Sequence, residues 1–174
     1  METTGLDPSV DRIVEVAVVR CDPDGAVLSE WSSLVDPGRD PGPTAVHGIT
    51  AGDLAAAPPF AAVVDQLHEQ LRDAIVTAHN LDFDAAFLAV EGRRTGRLGP
   101  TGPGLCTMAL DRSLSPGRPE GYSLAACSAA AGVPQPEAHR ALADARVTAA
   151  LLRALLDGVP VGRRPWPRRR LRLR

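Results

Sequence analysis

The pattern of hydrophobic and polar residues divides the chain into short strands and amphipathic helices. β-Branched residues dominate Ile13–Val19 (IVEVAVV), and this predicts a strand. The tight-turn sequence Cys21–Gly25 (CDPDG) follows. A second strand is predicted over Ala26–Val35, so the two strands should form a hairpin. Further strands are predicted over Ala74–Asn80 and Gly104–Leu110.

Helical spacing of apolar residues alternates with these strands. A segment that begins at Phe60 places four apolar residues at helical intervals, namely Val63, Val64, Leu67 and Leu71. A second helix is predicted over Phe83–Arg94. Ser123 is expected to cap a short alanine-rich helix that stops at Gly132. The last helix is predicted from about Arg140 to Leu156.

Local turn and capping signals complete the outline. Asp36–Pro43 (DPGRDPGP) predicts an irregular loop, and Thr50 with Asp53 resembles a capping box. The order of elements is hairpin, helix, strand, helix, strand, helix, helix. This order predicts an α/β fold with a mixed β-sheet flanked by helices, without an internal repeat or a second folded domain.

Composition agrees with one globular domain. The 174 residues are 44% hydrophobic and 23% charged, a balance typical of globular proteins. The three cysteines, Cys21, Cys106 and Cys127, are far apart and lack metal-site spacing, which favours free thiols in a reducing compartment. The sequence has no apolar run typical of a leader or a membrane span. We therefore expect a cytoplasmic protein that does not contact the membrane.

Charge is unevenly distributed along the chain. Residues 163–174 (RRPWPRRRLRLR) carry 7 arginines and no acid, whereas the other residues carry 12 arginines against 21 acids. Pro165 and Pro167 disfavour a helix in this segment. We therefore predict one folded domain over residues 1–162 and a disordered tail over residues 163–174. The tail could bind nucleic acid through phosphate contacts.

Three carboxylates stand out by their positions. Glu2 lies at a strand end, Asp84 lies at a strand-to-helix junction, and Asp144 lies inside the alanine-rich last helix. Taken singly, each has an ordinary structural explanation; Asp84, for example, suits the first turn of a helix. Taken together, they lie where α/β folds place sites. Clustered carboxylates repel one another unless a cation is present, and oxygen ligands of this kind suit Mg²⁺ or Mn²⁺.

Three segments resemble the exonuclease motifs of the DEDDh-type 3′–5′ exonucleases, and most of all those of the proofreading (epsilon) subunit of bacterial DNA polymerase III. They are ETTGLDP with RIVEVAVV, AHNLDFDAAFL, and HRALADA, and the resemblance spans Glu2 to about Leu156. It implies a ribonuclease-H-like fold with two divalent ions, Mg²⁺ or Mn²⁺. The implied metal ligands, which are also catalytic residues, are Glu2, Asp84 and Asp144.

The same resemblance implies roles for further residues. His139, five residues before Asp144, would be the general base, a task that suits imidazole. The sister subfamily has a tyrosine four residues before the last aspartate, where this chain has Arg140. The pocket for the 3′-terminal nucleotide would be lined by Thr3, Thr4, Gly5 and Leu6, with Asn80 and Phe83 beside the second acid. His79, His47 and His68 are expected to be structural or exposed.

One departure from the family pattern concerns the first motif. That motif is Asp-x-Glu, and its middle position here is Met1. The fold would then lack its first, central strand, which should pair with the strand at Ile13–Val19 on one side and with Ala74–Asn80 on the other. We expect the natural start to lie about ten residues earlier, the length of one strand and a few residues.

The resemblance implies a metal-dependent 3′–5′ exonuclease that acts on single-stranded or frayed DNA 3′ ends, in proofreading or repair. The partner implied besides DNA is a DNA polymerase subunit. Two alternatives stay open at the level of sequence. One is a 3′–5′ exoribonuclease, because discrimination depends on contacts to the 2′-hydroxyl. The other is a catalytically impaired nucleic-acid-binding or polymerase-associated module.

Overall fold

The computed structural model describes residues 1–97, 102–135, 139–157 and 170–171. Six strands occur in this part of the chain: β1 Glu2–Thr3, β2 Ile13–Cys21, β3 Val27–Leu34, β4 Val76–Ala78, β5 Gly102–Cys106 and β6 Arg170–Leu171. Seven helices accompany them: α1 Thr44–His47, α2 Ala51–Leu54, α3 Phe60–Leu71, α4 Leu81–Arg94, α5 Thr107–Leu114, α6 Leu124–Ala130 and α7 Ala141–Leu155. None of the described helices has both the length and the apolar character needed to cross a membrane.

The predicted hairpin is confirmed and forms the larger sheet. β2 and β3 pair in antiparallel register, with Val18 opposite Trp31. The two-residue strand β1 adds to the other side of β2, where Glu2 lies opposite Glu15 and Thr3 opposite Ile13. The order in this sheet is β1-β2-β3. β2 runs two residues beyond the predicted end because pairing with β3 continues to Cys21.

The second sheet has the order β4-β5-β6 and combines a parallel with an antiparallel pair. A cavity of about 830 Å³ lies between the two sheets, and its walls include Val16–Cys21 of β2 and Val76–Ala78 of β4. Helices α3, α4 and α7 complete the lining. In the described part of the chain no strand pairs with β2 beyond Glu15 on this side, or with β4 opposite β5.

The core lies where α3 and α4 pack against β2. Its largest members are fully or nearly fully buried and include Phe87, Leu67, Val64 and Ile13. The rings of Phe83 and Phe87 on α4 approach to a centroid distance of 4.8 Å. Because aromatic residues are only 3% of the sequence, valine and leucine fill most of this core. This core fixes α4 against β2, the strand that follows the loop after Glu2–Thr3.

Two strand predictions were longer than the strands observed. The strand predicted over Ala74–Asn80 is limited to β4, because Asp73 and Asn80 adopt left-handed backbone conformations with φ of 56° and 66°. The strand predicted over Gly104–Leu110 ends at Cys106, and Thr107 begins α5 instead. The side chain of Cys106 accepts a hydrogen bond from the Ala109 amide and so caps this helix.

The helix predictions are confirmed to within three residues at either end, and neither α1 nor α5 was predicted as a helix. The capping box of Thr50 and Asp53 is present and begins α2, and Ser123 caps α6. Cys21, Cys106 and Cys127 are free thiols. The predicted disordered tail at residues 163–174 falls outside the described residues except for β6, so it stays a prediction.

Candidate active site

Glu2, on β1, lies near several other charged groups. It is half-buried and lies opposite Glu15 in the strand pair. Burial raises the pKa of its carboxyl group, and the nearby carboxylates of Asp144 and Glu15 raise this pKa further. The Met1 amino group and His139 act in the opposite direction. Asp144 and His139 are therefore close enough to influence Glu2, although both lie near the other end of the sequence.

Asp84 joins this group through a positive charge. Its Oδ1 atom lies 3.4 Å from the amino group of Met1, and its side chain is 20% exposed. Burial alone would lower the pKa of this amine, but the negative charges of Asp84, Glu2 and Asp144 outweigh that effect and raise the pKa. Asp84 therefore forms an ion pair with the amino group of the residue that directly precedes Glu2.

Asp144 and His139 are placed by the beginning of α7. Asp144 lies in the first turn of this helix, and its Oδ1 atom accepts a hydrogen bond from Nε2 of Gln135 at 3.2 Å. His139 is exposed and has a left-handed backbone with φ of 62°. The imidazole therefore sits on the open side of the site, where solvent reaches it.

The donor set fits a divalent cation by charge and by chemistry. Carboxylate oxygens are the ligands that Mg²⁺ and Mn²⁺ prefer, and a cation would relieve the repulsion by which the Asp144 and Glu15 carboxylates raise the pKa of Glu2. Within the described residues, no three His, Cys, Asp or Glu side chains are close enough together to hold one metal ion. The acids therefore share an electrostatic environment without forming a compact three-ligand cluster.

Four of the predicted nucleotide-pocket residues, Thr3, Thr4, Gly5 and Leu6, run from the end of β1 into one tight loop. Thr3 is buried and its Oγ1 donates to the Gly5 carbonyl at 2.6 Å, whereas Leu6 is 84% exposed. Thr4 Oγ1 donates to Oδ1 of Asp11 at 2.9 Å. The loop thus presents an exposed apolar side chain at its tip while the two threonines hold its backbone.

Asp11 and Gly42 were missed by the sequence reasoning and explain how this loop is closed. A Cβ atom at Gly5 would lie 2.3 Å from an Asp11 carboxylate oxygen, so glycine at this position makes room for Asp11. A Cβ atom at Gly42 would lie 2.2 Å from the Thr4 carbonyl oxygen. Gly42 therefore brings the loop after β3 into direct contact with the pocket residues.

Asn80 and Phe83 flank the beginning of α4, as predicted. Asn80 is exposed and left-handed at the position before the helix, which turns the chain from β4 into α4. Phe83 is partly buried against the core and also lines the cavity. Both residues lie within one helical turn of Asp84 and so help to set its position.

Two other histidines have structural contacts, as predicted. The ring nitrogens of His79 lie 2.9 Å from Oγ1 of Thr107 and 2.8 Å from the Tyr122 carbonyl. His47 is buried, and its ring bonds to the Pro41 carbonyl and the Ile49 amide. Both ring nitrogens of each histidine are thus engaged in contacts within the fold.

Two ion-paired networks beside the site were also missed. The buried Glu15 contacts Arg140 and the start of α7, and the buried Glu91 contacts Arg12 and Arg94. An acid within an otherwise apolar strand, as in IVEVAVV, is the signal that could have indicated Glu15. Its partner, 125 residues later in the chain, could not be read from that pattern.

The comparisons with known proteins give one consistent result. The family model described as Exonuclease (RNase_T) matches residues 1–152. A DNA polymerase III subunit epsilon-like protein of Rhodobacter capsulatus is 41% identical over 88% of this chain and 23% of its own length. The DNA polymerase III subunit epsilon of Treponema pallidum is 30% identical over 89% of this chain and 73% of its own length.

Length separates this chain from many of these relatives. A DNA polymerase III PolC-type protein of Thermotoga petrophila is 36% identical over 85% of this chain, but this is only 11% of the relative. A putative bifunctional exonuclease/endonuclease protein of Mycobacterium tuberculosis is matched over 25% of its length. The chain therefore spans a quarter or less of the length of these two curated relatives.

Solved structures agree with the family match. Exonuclease X, in complex with 5′ overhanging duplex DNA, has a TM-score of 0.72 and 32% identity, covering 93% of this chain and 92% of that chain. Exonuclease I has a TM-score of 0.78 at 22% identity and covers 94% of this chain and 40% of its own. The predicted ribonuclease-H-like α/β fold is confirmed.

Proposed function

This chain belongs to the exonuclease (RNase_T) family, and on that basis we propose that it is a divalent-metal-dependent exonuclease that removes nucleotides from the 3′ ends of DNA. The observation that carries this proposal is the family match over residues 1–152, a span that contains the three motif acids Glu2, Asp84 and Asp144. Carboxylates that lie near one another repel, and a cation relieves that repulsion.

The proposed metal ligands are these three acids. The proposed cofactor is a pair of divalent ions, either Mg²⁺ or Mn²⁺. Divalent-metal dependence is general in the family. When bound, such ions would help to activate a water molecule and to neutralise charge on the leaving oxygen. The bond that breaks is the one between phosphorus and the 3′ oxygen of the penultimate nucleotide, and a nucleoside 5′-monophosphate leaves.

His139 is the proposed general base. His139 is exposed and close enough to Glu2 to influence its pKa, so its imidazole is accessible to an attacking water from which it can accept a proton. The proposed pocket for the terminal nucleotide consists of Thr3, Thr4, Gly5, Leu6, Asn80 and Phe83. Leu6, at the exposed tip of its loop, offers an apolar surface on which a base can pack.

We propose single-stranded or frayed DNA as the substrate, supported by the likeness to exonuclease X, whose solved structure contains 5′ overhanging duplex DNA. A DNA polymerase is the proposed partner, as the names of the relatives suggest. We assign the exonuclease domain to residues 1–162 and propose that it works in the cytoplasm, where its three free thiols would stay reduced.

The experiment uses a single-stranded DNA oligonucleotide labelled at its 5′ end. In Mg²⁺ or Mn²⁺ the label should appear in a ladder of progressively shorter products, and EDTA should abolish the ladder. The Asp84→Asn variant should lose activity by orders of magnitude. Asp82→Asn is the matched control, because Asp82 lies on the same helical turn but is exposed.

Two outcomes would contradict the proposal. One is a ladder that persists at near-normal rate in the Asp84→Asn protein. The other is the absence of cleavage in folded wild-type protein with either metal, which would favour a binding module. An RNA oligonucleotide of the same sequence completes the experiment; faster cleavage of RNA than of DNA would favour an exoribonuclease.

A further inference from the structure

Glu15 is a buried carboxylate in an apolar strand. It is the one charged residue in Ile13–Val19 and is 4% exposed. Burial of an unpaired carboxylate is costly, so such a group is retained only where its partners compensate for lost hydration. The partners of Glu15 therefore indicate what the residue does.

All of its observed contacts lead to the start of α7. Oε1 of Glu15 accepts a hydrogen bond from Nη2 of Arg140 at 3.0 Å. Oε2 accepts one from the Ala141 backbone amide at 2.8 Å, and Nε of Arg140 lies 3.4 Å away. The two side chains of this ion pair differ in exposure, because that of Arg140 is 53% exposed and that of Glu15 is 5% exposed.

Helix α7 has no capping side chain of its own. Its N-cap residue is Arg140, which makes no side-chain capping hydrogen bond. Helices usually begin with a serine, threonine, aspartate or asparagine that accepts a first-turn amide. Here a glutamate from β2 accepts the Ala141 amide instead, and its negative charge is favourable at a helix N-terminus. The start of α7 is therefore fixed to β2.

The same turn carries two residues of the proposed site. The backbone amide of Asp144 donates to the Arg140 carbonyl at 3.0 Å, so Asp144 moves with the anchored turn. His139 directly precedes Arg140 and has a left-handed backbone, a conformation that neighbouring contacts must maintain in a non-glycine residue. Glu15 also lies opposite Glu2 in the β1–β2 pair.

We propose that Glu15 is a positioning residue that, through Arg140 and the Ala141 amide, holds His139 and Asp144 in register with Glu2. This inference rests on the proposed function and deepens it. Glu15 acts through other residues and does not touch the substrate. Loss of its charge should displace His139 and Asp144 while leaving the nucleotide pocket intact.

A matched control exists on the same helix. Arg146 of α7 makes a two-bond ion pair with Glu30 of β3, with distances of 2.9 and 2.6 Å. Glu30→Gln therefore makes the same chemical change in another Glu–Arg pair that ties α7 to the sheet. If Glu15 served only to attach α7, the two variants should have similar effects on catalysis.

The kinetic experiment compares wild type, Glu15→Gln and Glu30→Gln on single-stranded DNA in Mn²⁺, well below each melting temperature. We expect kcat to fall tenfold or more in Glu15→Gln with KM within twofold, and kcat to stay within twofold in Glu30→Gln. A kcat within twofold of wild type in folded Glu15→Gln would overturn the proposal. If Glu15→Gln does not fold, Arg140→Gln takes its place with the same criteria, because Arg140 is more exposed.

A second measurement does not need activity. The chain has 4 histidines, so the ring ¹H–¹³C NMR signal of His139 can be assigned by comparison with His139→Gln. In metal-free protein we expect this signal to shift or broaden in Glu15→Gln and to be unchanged in Glu30→Gln. An unchanged signal in Glu15→Gln overturns the positioning role. If wild type lacks exonuclease activity, the proposed function fails and this measurement alone decides the role of Glu15.

Discussion

Arg12 and Glu91 form a two-bond ion pair that ties the site loop to α4. The Nε–Oε1 distance is 2.5 Å and the Nη2–Oε2 distance is 3.1 Å. Arg94 contributes a further contact to Oε1 of Glu91 at 3.2 Å. The Arg94 guanidinium also donates to the carbonyls of Ser9 and Asp11. One buried carboxylate thus organises two arginines and, through them, the loop that follows Gly5.

Loss of the Arg12 side chain should destabilise the protein. Glu91 is 1% exposed, so Arg12→Ala leaves a buried carboxylate with only Arg94. We expect the free energy of unfolding to fall by about 2–3 kcal/mol, somewhat below the range for a fully buried broken pair because the arginines are partly exposed. Urea denaturation followed by circular dichroism measures this change.

Arg72→Ala is the control for that measurement. Its pair with Glu69 spans one helical turn and both side chains are more than half exposed. We expect a change below about 0.5 kcal/mol, since exposed pairs contribute little. Equal losses in the two variants would show that burial does not set the strength of the Arg12 pair.

Replacement of His139 should affect the chemical step. His139→Ala is expected to lower kcat by roughly 10²–10⁴-fold, the usual effect of removing a general base. Because His139 is exposed, added imidazole should restore part of the activity. His68→Gln on α3 is the control and should retain its rate. A His139→Ala enzyme that keeps wild-type kcat would exclude this histidine as the base.

The raised pKa of Glu2 makes a prediction about stability and pH. Burial raises this pKa, so the folded state holds the proton more tightly than the unfolded chain. The stabilisation from protonation is fully present below the unfolded value of 4.5 and is lost as pH rises through the folded pKa. In metal-free buffer, Glu2→Gln should therefore melt at a higher temperature than wild type at pH 7, and this gain should vanish near pH 4.

Melting curves of both proteins between pH 4 and pH 8 in EDTA test this prediction. A gain that is constant with pH would mean that Glu2→Gln stabilises by packing and not by relief of charge. Asp65→Asn, at an exposed acid on α3, is the control and should show no comparable pH-dependent gain.

The arginine-rich tail should contribute to DNA affinity. Residues 163–174 contain 7 arginines and no acid, whereas the rest of the chain carries an excess of acids. Deletion of this segment should weaken binding of single-stranded DNA, and the slope of log K against log salt should flatten by about 0.7 for each phosphate that the tail neutralises. Fluorescence anisotropy at several salt concentrations measures both effects. Unchanged affinity at low salt would show that the tail does not bind DNA.

Local signals in the sequence predicted much of the fold. The hairpin turn lies directly between its two strands along the chain, and the capping box of Thr50 and Asp53 needs only residues three apart. Such features depend on neighbours along the chain. The strand predicted over Gly104–Leu110 was partly wrong because contacts from elsewhere decide it. Thr107 is completely buried and its hydroxyl meets His79, so its helical conformation depends on tertiary packing.

The candidate site likewise combines residues that the sequence predicts with residues whose roles depend on tertiary contacts. Motif resemblance selected Glu2, Asp84, His139 and Asp144, and in the structure Asp144 and His139 lie close enough to Glu2 to influence its pKa. The supporting residues could not be predicted, because their roles arise from pairing across the fold. Glu15 acquires its role only when α7 is packed beside β2, and nothing in the sequence around Arg140 indicates that contact.

The cavity between the two sheets should be detectable in the rate at which individual backbone protons are replaced by deuterium. Hydrogen bonds of a strand point alternately to its two sides. The carbonyl oxygen of Val14 accepts a hydrogen bond from the backbone amide of Val35, on the β3 side of β2. Val16 and Val18 lie two and four residues further along β2, so their backbone amides also point to β3. The backbone amides of the intervening Ala17 and Val19 then point to the cavity, and both residues help to line it. On this single strand we expect slow exchange at Val16 and Val18 and fast exchange at Ala17 and Val19, so that alternate residues report whether the space beside β2 is filled.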